Sequence, residues 1–360
     1  MAETKYKNHA AAQRERTASR YLPYTVQVDE GTVRTRNHDL MRIFRIEGIA
    51  HESADDEDLN GWAEGLNILL RNISGPNVAL WAHTVRRSED HYPDSNFAPG
   101  FARDLDAKYR QRLISGSRMM VNELYLTVIY RPAVNKSAGF LQKLGSMLSQ
   151  PTLQQVIDQL ADDLHKLEEL CQQVIRWLQR YEPRLLTTYE HNGITFSEPL
   201  EFLAFLVNGS RQRMPVPHSA ISDALLTSRP FFGKEAIEQR GVSNSVISGF
   251  LAIKEYPTPT FPGLLNKLLS APYEFVLTQS FTFMSKGAAV GQLTRTRDRM
   301  INAGDLAETQ IAEINDALDD LISNNFVYGA HHLSLQIKSE SVKALSDALA
   351  DARNRLGDVG

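Results

Sequence analysis

The sequence is short of almost everything that marks a specialised class. It has one cysteine, Cys171, in 360 residues, so an intrachain disulfide is excluded and no cysteine-built zinc cage can form. A reducing cytosol is the expected compartment. Neither charge is in excess. The net charge is −4, whereas a dedicated nucleic-acid protein usually carries a strong basic surplus. Long apolar runs are also missing. The longest near-continuous one, Phe202 to Val207, falls far below the ~20 residues that span a bilayer. Met1–Arg20 holds no apolar stretch of the secretory kind, so no such signal is expected.

What is present is ordinary for a globular protein, with 42% hydrophobic and 23% charged residues. The length suggests two domains or one elaborate one, because single cores stop growing near ~250–300 residues. The first twenty residues carry Lys5, Lys7, Arg14, Arg16 and Arg20 against Glu3 and Glu15. Two readings of this basic start stand, a solvated tail or a surface laid against anionic headgroups. At the other end, an amphipathic helix over 339–356 stops at Gly357, which reads as a boundary between domains.

Alternation predicts strands over Tyr24–Arg36 and Leu40–Gly48, turning at Asn37-His38-Asp39. The acidic run Asp55–Asp58 opens a helix to about Asn72, since carboxylates favour a helix N-terminus. A strand at Val78–Arg87, a short helix near Phe101–Ile114 and a strand at Glu123–Tyr130 follow. From Leu153 the apolar positions Leu153, Ile157, Leu160, Leu164, Leu167, Cys171, Val174, Leu178 and Tyr181 recur at steps of four and three. That is a heptad seam, roughly 40 Å long if helical at 1.5 Å per residue. With the Phe140–Leu148 segment, broken by Pro151, it predicts a helical hairpin. The seam needs a partner, from this chain or another subunit. Beyond Pro183, strands are predicted at Leu185–Glu190, Ser245–Glu255, Glu274–Phe283 and Phe326–Ile337. Helices are predicted at Glu198–Asn208, Leu264–Leu269 and Asp305–Ser323.

The expected fold class is α+β. Two lobes of mixed or antiparallel sheet with packed helices are joined by the long heptad-patterned section. The divisions are a basic tail (1–20), a first lobe (21–135), a helical section (136–182) and a second lobe (183–360).

A search for chemistry yields no site. The stretch from Lys286 to Gln292 contains Gly287 and Gly291 but lacks the Gly-Lys-Ser/Thr ending of a phosphate cradle. No G-x-G-x-x-G stands between strand and helix, and no G-x-S-x-G elbow is present. His331 and His332, adjacent in a strand, point to opposite faces and so do not share a metal easily. His83 reads as a strand histidine with a satisfied hydrogen bond. The Asp55–Asp58 run lacks the spacing of a calcium loop. Arg34, Arg36, Arg42, Arg45, Arg86, Arg87, Arg295, Arg297 and Arg299 could line a nucleic-acid surface. They are interspersed with acidic residues, without paired stacking aromatics, which favours a solvated or subunit-facing surface.

Several separated blocks do carry a likeness. They are Arg20–Tyr24, Arg42–Gly48, Asn122–Pro132, Glu255-Tyr256-Pro257, Tyr273–Phe281 and Asn325–Leu335, in that order. Together they resemble the N-terminal region of the CagE/TrbE/VirB ATPases of bacterial type IV secretion and conjugation systems, over about residues 20–357. Members of that family continue into a RecA-like motor with Walker A and Walker B motifs, which are absent from this sequence. The resemblance therefore implies a region without catalysis, cofactor or metal of its own, ATP and Mg belonging to the motor. It implies docking of that motor to inner-membrane subunits, including a small membrane-embedded one, with self-association of the full-length protein. The implied location is cytoplasmic, peripheral at the inner membrane. Candidate docking residues are Lys5, Lys7, Arg14, Arg16, Arg20, Leu22, Pro23 and Tyr24, and the candidate helix-pairing seam is Leu153, Ile157, Leu160, Leu164, Leu167, Val174 and Leu178. The alternative is a nucleic-acid-contacting domain of the conjugation machine.

Overall fold

The computed structural model describes residues 17–50, 53–89, 92, 96–116, 119–132, 152–242, 245–253, 256, 260–302 and 308–357. The first half supplies β1 (Tyr24–Gln27), β2 (Thr32–Thr35), β3 (Leu40–Ile46), α1 (Asp56–Ile73), β4 (Val78–Glu89), α2 (Phe101–Gly116) and β5 (Met119–Tyr130). Next come α3 (Leu153–Trp177), β6 (Pro183–Leu185), β7 (Thr188–His191), β8 (Ile194–Ser197), α4 (Glu198–Asn208) and α5 (Ile221–Leu225). The rest is β9 (Arg229–Phe232), β10 (Ile237–Arg240), β11 (Ser245–Ala252), α6 (Asn266–Leu269), β12 (Phe275–Phe283), α7 (Lys286–Asn302), α8 (Glu308–Ile322), β13 (Gly329–Ser339) and α9 (Val342–Gly357).

Local sequence explains the helix starts. Asp55 is the N-cap of α1, its carboxylate accepting from Asp58 N–H at 2.9 Å, with Asp56, Glu57 and Asp58 in the first turn. The acidic run is thus spent on a helix terminus. Thr152 and Gln155 close a capping box on α3. Ser197 caps α4, which ends at Gly209 with φ of 79°, the left-handed turn glycine tolerates.

The class is α+β, and the pairing is antiparallel throughout an 11-stranded sheet. Its order is β1-β2-β3-β5-β4-β12-β13-β11-β10-β9, with β6 added alongside β3. The strands of the two halves meet where β4 pairs with β12, with His83 opposite Thr278. On one face, α1 and α3 pack over Leu40, Phe44, Val128 and Tyr130, while α9 and α6 pack over Phe275, Leu277 and Leu335. On the other, α4 and α5 pack over Met41, Ile43, Tyr125 and Ile129. The longest apolar run of the sequence is therefore a buried helix, with Leu200, Phe202, Leu203, Ala204 and Phe205 all in this core. Gly329 is required by contact, since a Cβ there would meet the Thr282 carbonyl and the Phe281 ring.

Several expected elements take a different form. The strand read over Tyr24–Arg36 is a hairpin, because the Asp29 carboxylate accepts from Gly31 N–H (2.9 Å), Thr32 N–H (2.6 Å) and Thr32 Oγ1 (2.8 Å) and turns the chain. The strand read over Leu185–Glu190 divides into β6, in the large sheet, and β7, in a two-stranded sheet with β8. The helix α7, the β9–β10 hairpin and α5 have no counterpart among the elements expected from the sequence pattern. Along the seam, α3 ends at Trp177, Leu178 is its C-cap and Tyr181 lies in a 3-10 turn. Leu167, Cys171, Val174 and Leu178 are buried, and Leu160 and Leu164 pack partly against the same core. Leu153 and Ile157 are exposed, at 77% and 51%. Burial pushes the Cys171 thiol up to about 12, as suits a core residue. The Phe140–Leu148 segment lies outside the described residues.

Candidate docking surfaces

Ten strands side by side offer more face than α4 and α5 occupy. The part over β9, β10 and β11 that no described residue covers forms an open groove of about 1340 Å³. Its walls are apolar: Tyr21 and Leu22 from the turn before β1, Leu206 and Val207 from the end of α4, Pro230 and Phe232 from β9, and Phe250 from β11. Tyr21, Phe232 and Phe250 are 73%, 76% and 53% exposed. The floor is polar, with Gln239, Ser248 and Gln336. Gln239 Nε2 donates to the Val207 carbonyl. Gln239 Oε1 and Ser248 Oγ are buried and have no partner among the described residues, an uncommon condition for buried polar atoms. At the mouth, the Arg229 and Arg240 guanidiniums lie 5.3 and 4.6 Å from the Phe231 ring. The strand order ends at β9, so its outer edge has no neighbour among the described residues.

A second, smaller cleft of about 330 Å³ opens on the other flank of α4. Its wall includes Arg45, Arg184, Arg211 and Arg213, with Glu198 and Glu201 from α4 and an aromatic floor of Tyr125, Phe202 and Phe205. Behind it lies Glu123, whose side chain is 5% exposed. Burial opposes its charge, but hydrogen bonds from Arg87 and Tyr125 and the Arg211 guanidinium outweigh burial and hold the carboxyl below its ordinary value.

The residues singled out in the sequence fall as follows. Leu22 lines the groove, Pro23 is half-buried and Arg20 is exposed. Tyr24 is in the core, its hydroxyl pushed up to about 12 by burial. Lys5, Lys7, Arg14 and Arg16 lie outside the described residues. His83 is buried edge-on to Phe202, ring centroids 5.3 Å apart, and burial lowers its pKa to about 4. Its Nδ1 has no partner among the described residues, so the hydrogen bond expected there is not made. His331 turns to the Tyr256 hydroxyl at 2.5 Å.

The arginines are dispersed. Arg42 binds Glu168 and Asp29, Arg86 donates to the Ala271 carbonyl at 2.5 Å, and Arg87 binds Glu123 and Glu89. Arg295, Arg297 and Arg299 sit on α7. Among the described residues no cluster of three His, Cys, Asp or Glu could hold a metal ion, and no helix is long and apolar enough to cross a membrane. Sequence reasoning missed both clefts, except for Leu22 in one and Arg45 in the other.

Fold and surfaces define an α+β sheet module with two open clefts flanking one buried helix. Residues 184–360 match the CagE, TrbE, VirB family, component of type IV transporter system. Residues 31–138 match the N-terminal domain of the type IV secretion system ATPase VirB4/TrbE. The chain belongs to this family and corresponds to its N-terminal region. It is 41% identical over 350 residues to the type IV secretion system protein virB4 of Bartonella henselae, covering 96% of this chain and 44% of that protein. It is 36% identical over 353 residues to the protein of that name from Brucella suis, covering 96% and 42%. It is 33% identical over 356 residues to protein virB4 of Agrobacterium tumefaciens, covering 98% and 44%. The chain thus spans less than half the length of these relatives.

Proposed function

We propose that this chain is a docking and assembly module of a type IV secretion ATPase. It tethers the motor to the inner-membrane complex at the cytoplasmic face and lends surface to contacts between copies. The groove beside β9 receives an apolar segment of a small membrane-embedded subunit. On this reading ATP hydrolysis with Mg belongs to the part of the relatives that this chain does not span.

The groove is the observation that carries the reading. Folding alone gives no reason to leave Phe232 and Phe250 exposed beside a floor with two orphaned buried oxygens. An apolar segment laid on the walls would take Phe232 and Phe250 out of water. Arg229 and Arg240 at the mouth complement the anionic headgroups from which such a segment would emerge.

The test is co-expression of the chain with the membrane subunit, followed by capture from detergent. Replacing Phe232 and Phe250 together by Asp should cut capture at least ~10-fold, as loss of an interface anchor does, with the melting temperature retained. Unchanged capture with a folded variant refutes the groove. ATP turnover that persists in the rigorously purified chain refutes the division of labour.

A further inference from the structure

The smaller cleft gathers charges that folding does not call for. Antiparallel pairing of β3 with β6 sets Arg45 directly opposite Arg184, and like charges in that relation oppose pairing. Arg211, from the loop after α4, lies 5.2 Å from the centre of the Phe205 ring. Lys338 approaches the same ring at 3.7 Å. Arg213 makes no ion pair among the described residues. Carboxylates restrain the other three arginines: Glu47 is 3.2 Å from Arg45, Glu198 is 2.8 Å from Arg184, and Glu123 binds Arg211. The three arginine side chains nevertheless stay 36%, 52% and 49% exposed. A guanidinium has five N–H donors, so each retains donors toward the cleft after one ion pair. The result is a set of fixed forks above an apolar aromatic floor.

We propose that this cleft binds an acidic peptide segment of a protein partner, a Glu or Asp carboxylate entering among the arginines and a neighbouring apolar side chain resting on Phe202 and Phe205. The guanidinium fork matches a carboxylate bidentately. A cleft of about 330 Å³ takes one such dipeptide unit. Glu198 and Glu201 stand in the same wall, which disfavours a continuous polyanion such as a nucleic-acid backbone. A single carboxylate flanked by apolar groups avoids them. The inference does not depend on the apolar groove.

The probes are a fluorescein-labelled peptide of four Glu-Leu repeats and a labelled twelve-nucleotide oligo-dT, titrated by anisotropy at 20 and 150 mM salt. The peptide is expected to bind, more weakly at the higher salt. Arg213→Glu, an exposed position, is expected to weaken binding at least tenfold with the melting temperature unchanged. Arg45→Gln should weaken it severalfold. Lys343→Glu, a charge reversal at an exposed position of α9, should leave affinity within twofold. Should Arg213→Glu misfold, Arg213→Gln gives the same readout with a smaller loss. The proposal is overturned if the peptide does not bind at low salt. It also fails if Arg213→Glu and Lys343→Glu weaken binding equally, which would mark diffuse charge. Tighter binding of oligo-dT, lost in the same variants, would assign the cleft to nucleic acid instead.

Discussion

Lys338 is a buried lysine whose environment sets a testable cost. It sits in β13 opposite Ser248, 7% exposed, with its ammonium 3.7 Å from the centre of the Phe205 ring and one hydrogen bond, to the Gly209 carbonyl at 3.2 Å. No carboxylate among the described residues pairs with it. Burial, the largest influence, lowers the pKa from 10.5 to about 7, while Glu274 favours the charge from a distance and Arg211 opposes it. The unfolded lysine binds its proton up to pH 10.5 and the folded one only to about pH 7, so between these limits the unfolded state holds more protons and stability rises with pH. Each pH unit in that interval is worth about 1.4 kcal/mol, so the buried ammonium costs about 4 kcal/mol at pH 7 and about 2 kcal/mol at pH 9. Lys338→Met removes this cost but also the Gly209 hydrogen bond, worth about 1 kcal/mol, and the ring contact, worth about 1–2 kcal/mol. Urea unfolding of both proteins from pH 6 to pH 9.5 isolates the effect, because other alkaline groups cancel in the difference. The variant should be more stable by about 1–2 kcal/mol near pH 7, and its advantage should shrink by about 2 kcal/mol by pH 9. A difference independent of pH, or a variant less stable at pH 7, refutes the reasoning.

Other expectations bear on packing. Leu167→Ala should cost about 2–5 kcal/mol, because Leu167, on the inner side of α3, is fully buried. Leu153→Ala, on the same seam but exposed, should stay within about 0.5 kcal/mol. Urea melts check the pair, and equal costs would mean the seam is wrongly described. His83, held neutral by burial with a pKa of about 4, should drain stability as pH falls from 6.5 toward 4, by about 3 kcal/mol in all. His83→Leu should flatten that acid limb, and an unchanged limb would show that the ring is not buried. Gly329→Ala should lower the melting temperature by several degrees through the clash with the Thr282 carbonyl. An unaltered temperature would mean that β12 and β13 separate more easily than their register implies.

Where a residue pattern has a local cause, the sequence was legible. The Asp55–Asp58 run is a helix start, the alternation in β12 is a strand and α4 occupies the predicted Glu198–Asn208. Illegible features depend on distant partners or weak periodicity. Helix α7 buries only Ala289 and Leu293, and it holds Gly287 and Gly291, so no stripe betrays it; packing with α8 sustains it. The β4–β12 junction joins residues almost two hundred positions apart, and neither strand's alternation identifies its neighbour. Both clefts have the same character. The groove brings Tyr21 and Leu22 to Phe232 and Phe250, and the arginine cleft brings Arg45 to Arg211.

Both open surfaces follow from one geometric mismatch. Ten strands at ~4.8 Å spacing spread over roughly 45 Å, while a helix with its side chains covers only ~10–12 Å. On one face the mismatch is met by α1, α3, α6 and α9 together. On the other, α4 is 11 residues long and α5 five, so among the described residues the sheet beyond their reach stays open. A chain folded only for its own stability would have little reason to leave apolar walls and buried oxygens without partners among the described residues there. On the proposed docking role these strands would be half of an interface, and α4, which completes the core, would set the two edges along which that interface runs.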